Sequence, residues 1–160
     1  MRLDVKKTYK LFIGGQFPRS ESGRSYEITS PQGVFLANAA QASRKDLRDA
    51  VTAARSAFSN WSQATAFNRG QILYRIAELM EGRREQFIAE IVACEGVNAK
   101  KASDQVDAAI DLWVWYAGWC DKYISIAGSQ NPIAGPFYNF TTPEALGVIG
   151  AIADQKSSLV

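Results

Sequence analysis

The chain has 160 residues, of which 47% are hydrophobic and 21% charged, an ordinary composition for a globular domain with its own core. Its net charge of +2 provides no basic surface of the kind that binds nucleic acid. The sequence contains no histidine, which excludes a Ser-His-Asp triad, a Cys-His pair and a histidine-bearing zinc site within these residues.

Cysteine usage and the absence of an apolar leader predict a cytoplasmic protein. Cys94 and Cys120 form neither a CxxC motif nor a disulfide framework, which favours a reducing compartment. The start, MRLDVKKTYKLF, lacks the apolar segment and cleavage site of a signal peptide. No window approaches the roughly 18 uncharged apolar residues of a membrane span. We therefore expect neither a membrane nor a nucleic acid among its partners.

The first predicted elements are paired strands within residues 9–31, YKLFIGGQFPRSESGRSYEITSP. Gly14-Gly15 lies between two short apolar segments, which favours a two-residue turn with positive φ. Tyr26 and Ile28 alternate with polar neighbours, the period of a half-buried strand. A glycine pair also occurs in phosphate-binding loops, but no helix follows this one, so we interpret it as a turn.

Helices are predicted from Ser43 to Gly96. Ser43 is suited to an N-cap, with Asp46 in the capping-box position. The spacings of 4, 3, 4 and 3 residues along the next apolar positions indicate one helix face. That face consists of Leu47, Val51, Ala54, Phe58 and Trp61. Thr65 is predicted to cap the next helical segment, which Gly82 interrupts and Gly96 ends, leaving either one kinked helix or two in succession.

The last predicted helix begins at Ser103 and carries the aromatic cluster WVWYAGWCDKY, residues 113–123. A base-stacking surface needs interleaved cations, and Lys122 is the only one in the cluster. A membrane-surface helix needs a basic polar face, and the polar residues here are mainly acidic. We favour a helix buried in a core or interface, in which Gly118 lets another backbone approach closely.

The end of the chain combines a loop with an apolar run. Residues 128–143 are rich in glycine and proline and predict a loop, with PFYNFTT as a short edge strand. ALGVIGAIA, residues 145–153, is typical of a strand buried on both faces of a parallel sheet. Such a strand needs a neighbour, and the sequence offers no second run of this kind. We expect a mostly helical fragment with N-terminal strands and one C-terminal core strand, a single incomplete domain over residues 1–160.

These motifs, in this order, resemble the N-terminal portion of the aldehyde dehydrogenase superfamily. WYAGWCDK, residues 115–122, is similar to the family's YYAGWADK helix. Residues 10–31 resemble its N-terminal hairpin, and residues 50–96 its first long helices. TTPEALGVIGAIA, residues 141–153, resembles the strand that opens its nucleotide-binding sheet. The resemblance extends from about Leu11 to Leu159, nearly the whole chain.

The resemblance implies an α/β parent with a Rossmann-type NAD(P)-binding domain, of which this chain would form the first part and the start of the oligomerisation hairpin. It implies oxidation of a small-molecule aldehyde to a carboxylic acid by NAD or NADP through a cysteine thioester, without a metal. Family members are usually homo-oligomers, assembled partly through a hairpin near residues 125–143. The family's nucleophile lies in a G-Q-x-C segment that this sequence lacks. We therefore predict no catalytic residue in this chain, and an inactive fragment.

The two cysteines are not predicted to replace that nucleophile. Cys94 and Cys120 both fall on apolar helical stripes. Thiols buried in apolar surroundings have raised pKa values and little thiolate, and no histidine is present to activate them. We expect both side chains to pack as small hydrophobic groups.

Cofactor-binding residues are predicted only at the end of the last strand. Ligands of open α/β sheets bind beyond the carboxyl ends of the strands, which places Ile152 and Ala153 nearest a bound NAD(P). The family continues with Pro-Trp-Asn, whose asparagine helps to stabilise an oxyanion. This chain has Asp154-Gln155-Lys156 instead. Its ADQKSSL segment is closer to a divergent branch with A-x-x-x-S-S-L.

Two other hypotheses remain open. The chain could be a stand-alone, non-catalytic interaction or oligomerisation module that uses the aromatic helix and the hairpins. It could also be a bare nucleotide-binding fragment, although it lacks the second strand and the acidic ribose contact of such a site.

Overall fold

A computed structural model describes residues 6–153 of the chain. Over this range the strands are β1 (Thr8–Tyr9), β2 (Ser25–Thr29), β3 (Phe35–Ala40), β4 (Ser129–Gln130) and β5 (Phe140–Thr141). The helices are α1 (Arg44–Gln63), α2 (Ala66–Glu81), α3 (Arg84–Glu95), α4 (Ala99–Trp119) and α5 (Tyr123–Ala127). The predicted mostly helical architecture with N-terminal strands is confirmed.

The N-terminal sheet has the strand order β1-β3-β2, with β1 parallel and β2 antiparallel to β3. The predicted glycine turn is present, because Ile13 and Gln16 exchange both backbone hydrogen bonds at 3.0 Å around it. Gly14 and Gly15 have φ values of 58° and 78°, a conformation that glycine adopts without steric cost. The sequence analysis did not predict β3, because its run FLANAA does not alternate apolar and polar residues.

Helix α1 begins as predicted. The Ser43 side chain accepts hydrogen bonds from the N–H groups of Lys45 and Asp46, and the Asp46 carboxylate accepts one from the Ser43 N–H at 2.8 Å. This reciprocal pair is a capping box. The side of α1 that faces the rest of the chain is a narrow stripe of small or polar side chains. It comprises buried Asp46 and half-buried Ala50 and Ala53.

Two helices, α2 and α3, form the next segment. Of the two predicted alternatives, two helices in succession is therefore confirmed. Thr65 caps α2 by accepting a hydrogen bond from the Asn68 N–H at 3.1 Å. Gly82 separates the helices, and Gly96 ends α3 with a φ of 68°. At Gly96 a β-carbon would lie 2.9 Å from Cγ of Pro31, so this helix end fits closely against the turn after β2.

Helix α4 forms the core with α2 and α3. It begins at Ala99, and the Asn98 side chain caps it by accepting from the Lys101 N–H at 2.8 Å. The prediction that Ser103 is the cap is wrong. The side-chain oxygen of Asn98 already accepts a hydrogen bond from the backbone, and the helix therefore begins about one turn before Ser103. Ala102 and Val106 are completely buried and pack against Ile91 of α3.

The tightest helix contact lies at Gly70 of α2. A β-carbon there would meet the backbone oxygen of Ala117 at 3.0 Å and Cβ of Cys120 at 3.6 Å, so α2 and α4 approach closely. The prediction that Gly118 provides such an approach is wrong. A β-carbon at Gly118 would meet nothing within 4 Å among the described atoms.

Residues 128–153 contain little regular structure. β4 and β5 pair antiparallel across the proline-rich loop, which places a short strand inside the predicted PFYNFTT segment. The core strand predicted over residues 145–153 is not formed. A parallel strand needs hydrogen-bonding neighbours, and none of the strands described between residues 6 and 153 pairs with it. Its side chains are therefore exposed, with Leu146 at 92%.

Candidate functional site

The predicted cofactor residues lie at the end of this unpaired segment. Ile152 is fully exposed at 101%, and Ala153 is exposed as well. Contact of these residues with NAD(P) stays a prediction that rests on the resemblance. Asp154, Gln155 and Lys156 lie outside the described residues.

The two cysteines lie on different helices and differ in their surroundings. Cys94 of α3 is exposed, which contradicts the expectation of a buried thiol, although Ile91 of the same stripe is buried against α4. Partial desolvation, together with the carboxylates of Glu90 and Glu95, raises the pKa of the Cys94 thiol. Cys120 is half-buried, and its thiol donates to the Tyr116 carbonyl at 3.5 Å. Neither thiol contacts a base that would activate it, among the partners found in the described part of the chain.

The aromatic helix is less buried than predicted. Trp115 and Tyr116 are 54% and 55% exposed, and their rings meet edge to face with centroids 4.9 Å apart. Trp119 is half-buried, and its ring centroid lies 5.2 Å from that of Trp115. These rings border a shallow, almost wholly apolar groove of about 410 Å³. The groove is lined by Arg69, Leu73, Trp115, Tyr116, Trp119, Cys120 and Tyr123.

A polar cluster that the sequence analysis read only as a cap joins α1 to the N-terminal segment. The Asp46 carboxylate accepts from the hydroxyl of Ser20 at 2.7 Å and from the N–H of Glu21 at 3.2 Å. The hydrogen bond from the Ser43 N–H and that from Ser20 lower the pKa of Asp46 to about 2. The cluster therefore holds the loop before β2 against the start of α1.

A second polar cluster joins α3 to α4. The Arg84 guanidinium donates to both carboxylate oxygens of Asp107 at 2.8 Å, and to the hydroxyl of Ser103 at 2.5 Å. The hydrogen bonds between Arg84 and Asp107 raise the pKa of the first and lower that of the second. Ser103 thus has a tertiary partner in place of the predicted capping role.

Residues 6–153 contain neither a candidate metal site nor a helix that could span a membrane. No group of three or more Cys, Asp or Glu side chains in this range is arranged to hold a metal ion. None of its helices combines the length and the apolar character needed to cross a membrane.

Comparison with known proteins identifies the fold and the family. The structure is similar to an aldehyde dehydrogenase from Bacillus cereus (G224D mutant), with a TM-score of 0.77 and 29% identity, over 88% of this chain and 30% of that one. It is also similar to an NAD-dependent benzaldehyde dehydrogenase from Corynebacterium glutamicum, with a TM-score of 0.73 and 29% identity, over 80% and 28%. The fold is thus that of a piece of an α/β aldehyde dehydrogenase, as the resemblance predicted.

Comparison of the amino-acid sequence identifies the family directly. The model of the aldehyde dehydrogenase family matches residues 17–154. The mitochondrial 10-formyltetrahydrofolate dehydrogenase of Mus musculus is 37% identical over 159 residues, which cover 94% of this chain and 17% of that protein. The chain belongs to the aldehyde dehydrogenase family, which confirms the resemblance. It spans less than a third of the length of these relatives.

Proposed function

We propose that this chain is part of an NAD(P)-dependent oxidoreductase that converts an aldehyde to a carboxylic acid. The observation that carries the proposal is the family match over residues 17–154, which coincides with nearly all of the described fold. The similar Corynebacterium glutamicum enzyme is NAD-dependent and bears the name of an aldehyde substrate. The nucleophile and the base of the reaction would come from segments that the 160 residues do not contain.

The contribution of this chain is scaffolding. Helices α2 to α4 form a packed platform, and residues 145–153 leave it as an exposed apolar run. In the whole protein this run would pair as the first strand of a cofactor-binding sheet, with Ile152 and Ala153 nearest NAD or NADP. The whole protein would be cytoplasmic and homo-oligomeric, with the β4–β5 hairpin as part of the interface. The 160-residue chain alone would be inactive.

Two measurements test this proposal. The first is the size of the native protein in lysate of its source, detected with an antibody against residues 43–96. A single band several-fold larger than 17.6 kDa supports the oxidoreductase, and a band at 17.6 kDa contradicts it. The second is NADH or NADPH formation by the purified 160-residue chain with a panel of aldehydes. Turnover by this chain would contradict the scaffolding role.

A second candidate function is a non-catalytic interaction module. Its specific support is the exposure of apolar side chains in the run 145–153 and along the aromatic helix. Such a module would associate with a copy of itself or with a longer relative. A band at 17.6 kDa in the source lysate would favour this candidate over the first.

A further inference from the structure

We draw no further inference here: the strongest candidate, a polar cavity of about 290 Å³ bordered by Lys10, Arg19 and Arg24 between β1 and the loop before β2, supports none, because the chain spans less than a third of its relatives' length and nothing in the structure shows what covers this cavity.

Discussion

The close approach of α2 and α4 leads to a comparison of two glycine-to-alanine substitutions. Gly70 lies in the second turn of α2 and Gly118 in the last turn of α4, and alanine is favoured over glycine within a helix by up to about 1 kcal/mol. A β-carbon at position 70 would lie 3.0 Å from the Ala117 oxygen, closer than an ordinary contact, whereas position 118 is open. Both substitutions therefore gain helix propensity, and only Gly70→Ala adds a steric cost.

The expected magnitude follows from these two terms. Overpacking of this kind costs about 1–3 kcal/mol, because one helix must move away from the other by a few tenths of an ångström. Gly118→Ala should raise the free energy of unfolding by up to about 1 kcal/mol. Gly70→Ala should leave it unchanged or lower it by up to about 2 kcal/mol, the difference between the two terms.

Urea unfolding followed by circular dichroism measures both variants against the parent chain. The informative quantity is the difference between the free energies of unfolding of the two variants, since most of the gain in helix propensity cancels in it. A difference of about 1–3 kcal/mol in the predicted direction supports the contact. Equal stabilisation by both substitutions would refute the reasoning, because it would mean that Gly70 has room for a methyl group.

Three other predictions concern a helix end, a carboxylate and a thiol. Gly96→Ala should destabilise the fold by about 1–2 kcal/mol, because alanine is strained in the left-handed backbone conformation of this residue. The loss should exceed that of Gly23→Ala, since only at Gly96 would the new methyl group also meet Pro31. Urea unfolding of both variants measures the difference. The depressed pKa of Asp46 stabilises the fold above the ordinary value of 3.8, and this stability is lost as the pH falls toward about 2. Asp46→Asn should therefore unfold with a flatter pH dependence between these values, and an unchanged slope would contradict the assignment. The raised pKa of the Cys94 thiol predicts slower alkylation by iodoacetamide at neutral pH in the folded chain than in the urea-unfolded chain, although the side chain is exposed, because the thiolate is the reacting form. Peptide mass spectrometry measures both rates.

Features that depend on neighbouring residues were predictable from the sequence. The Ser43–Asp46 capping box, the Thr65 cap, the glycine turn and the helix end at Gly96 all depend on residues a few positions apart. Their backbone requirements are carried by the side chains themselves, so the sequence pattern is sufficient. The family resemblance was equally visible, since its motifs keep their order along nearly the whole chain.

Features that depend on distant residues were not predictable in the same way. Gly70 and Gly118 are alike as sequence positions, and only the path of α4 across α2 shows which one lies at the contact. The Arg84–Asp107 pair spans 23 positions and has no local signal. The strand expected over residues 145–153 needs neighbours, and a strand without hydrogen-bonding partners does not form however apolar its sequence is. The cofactor role of Ile152 and Ala153 depends on the same neighbours.

The local connectivity of the helical platform bears on the order in which the chain folds during its synthesis. Helices α2, α3 and α4 pack mainly against one another, within residues 66–119. Contacts between segments close in sequence form early, because little chain entropy is lost in bringing them together. The platform can therefore close on the ribosome once Trp119 has left the exit tunnel. The apolar run at 145–153 then emerges from the ribosome next to a surface that is already folded.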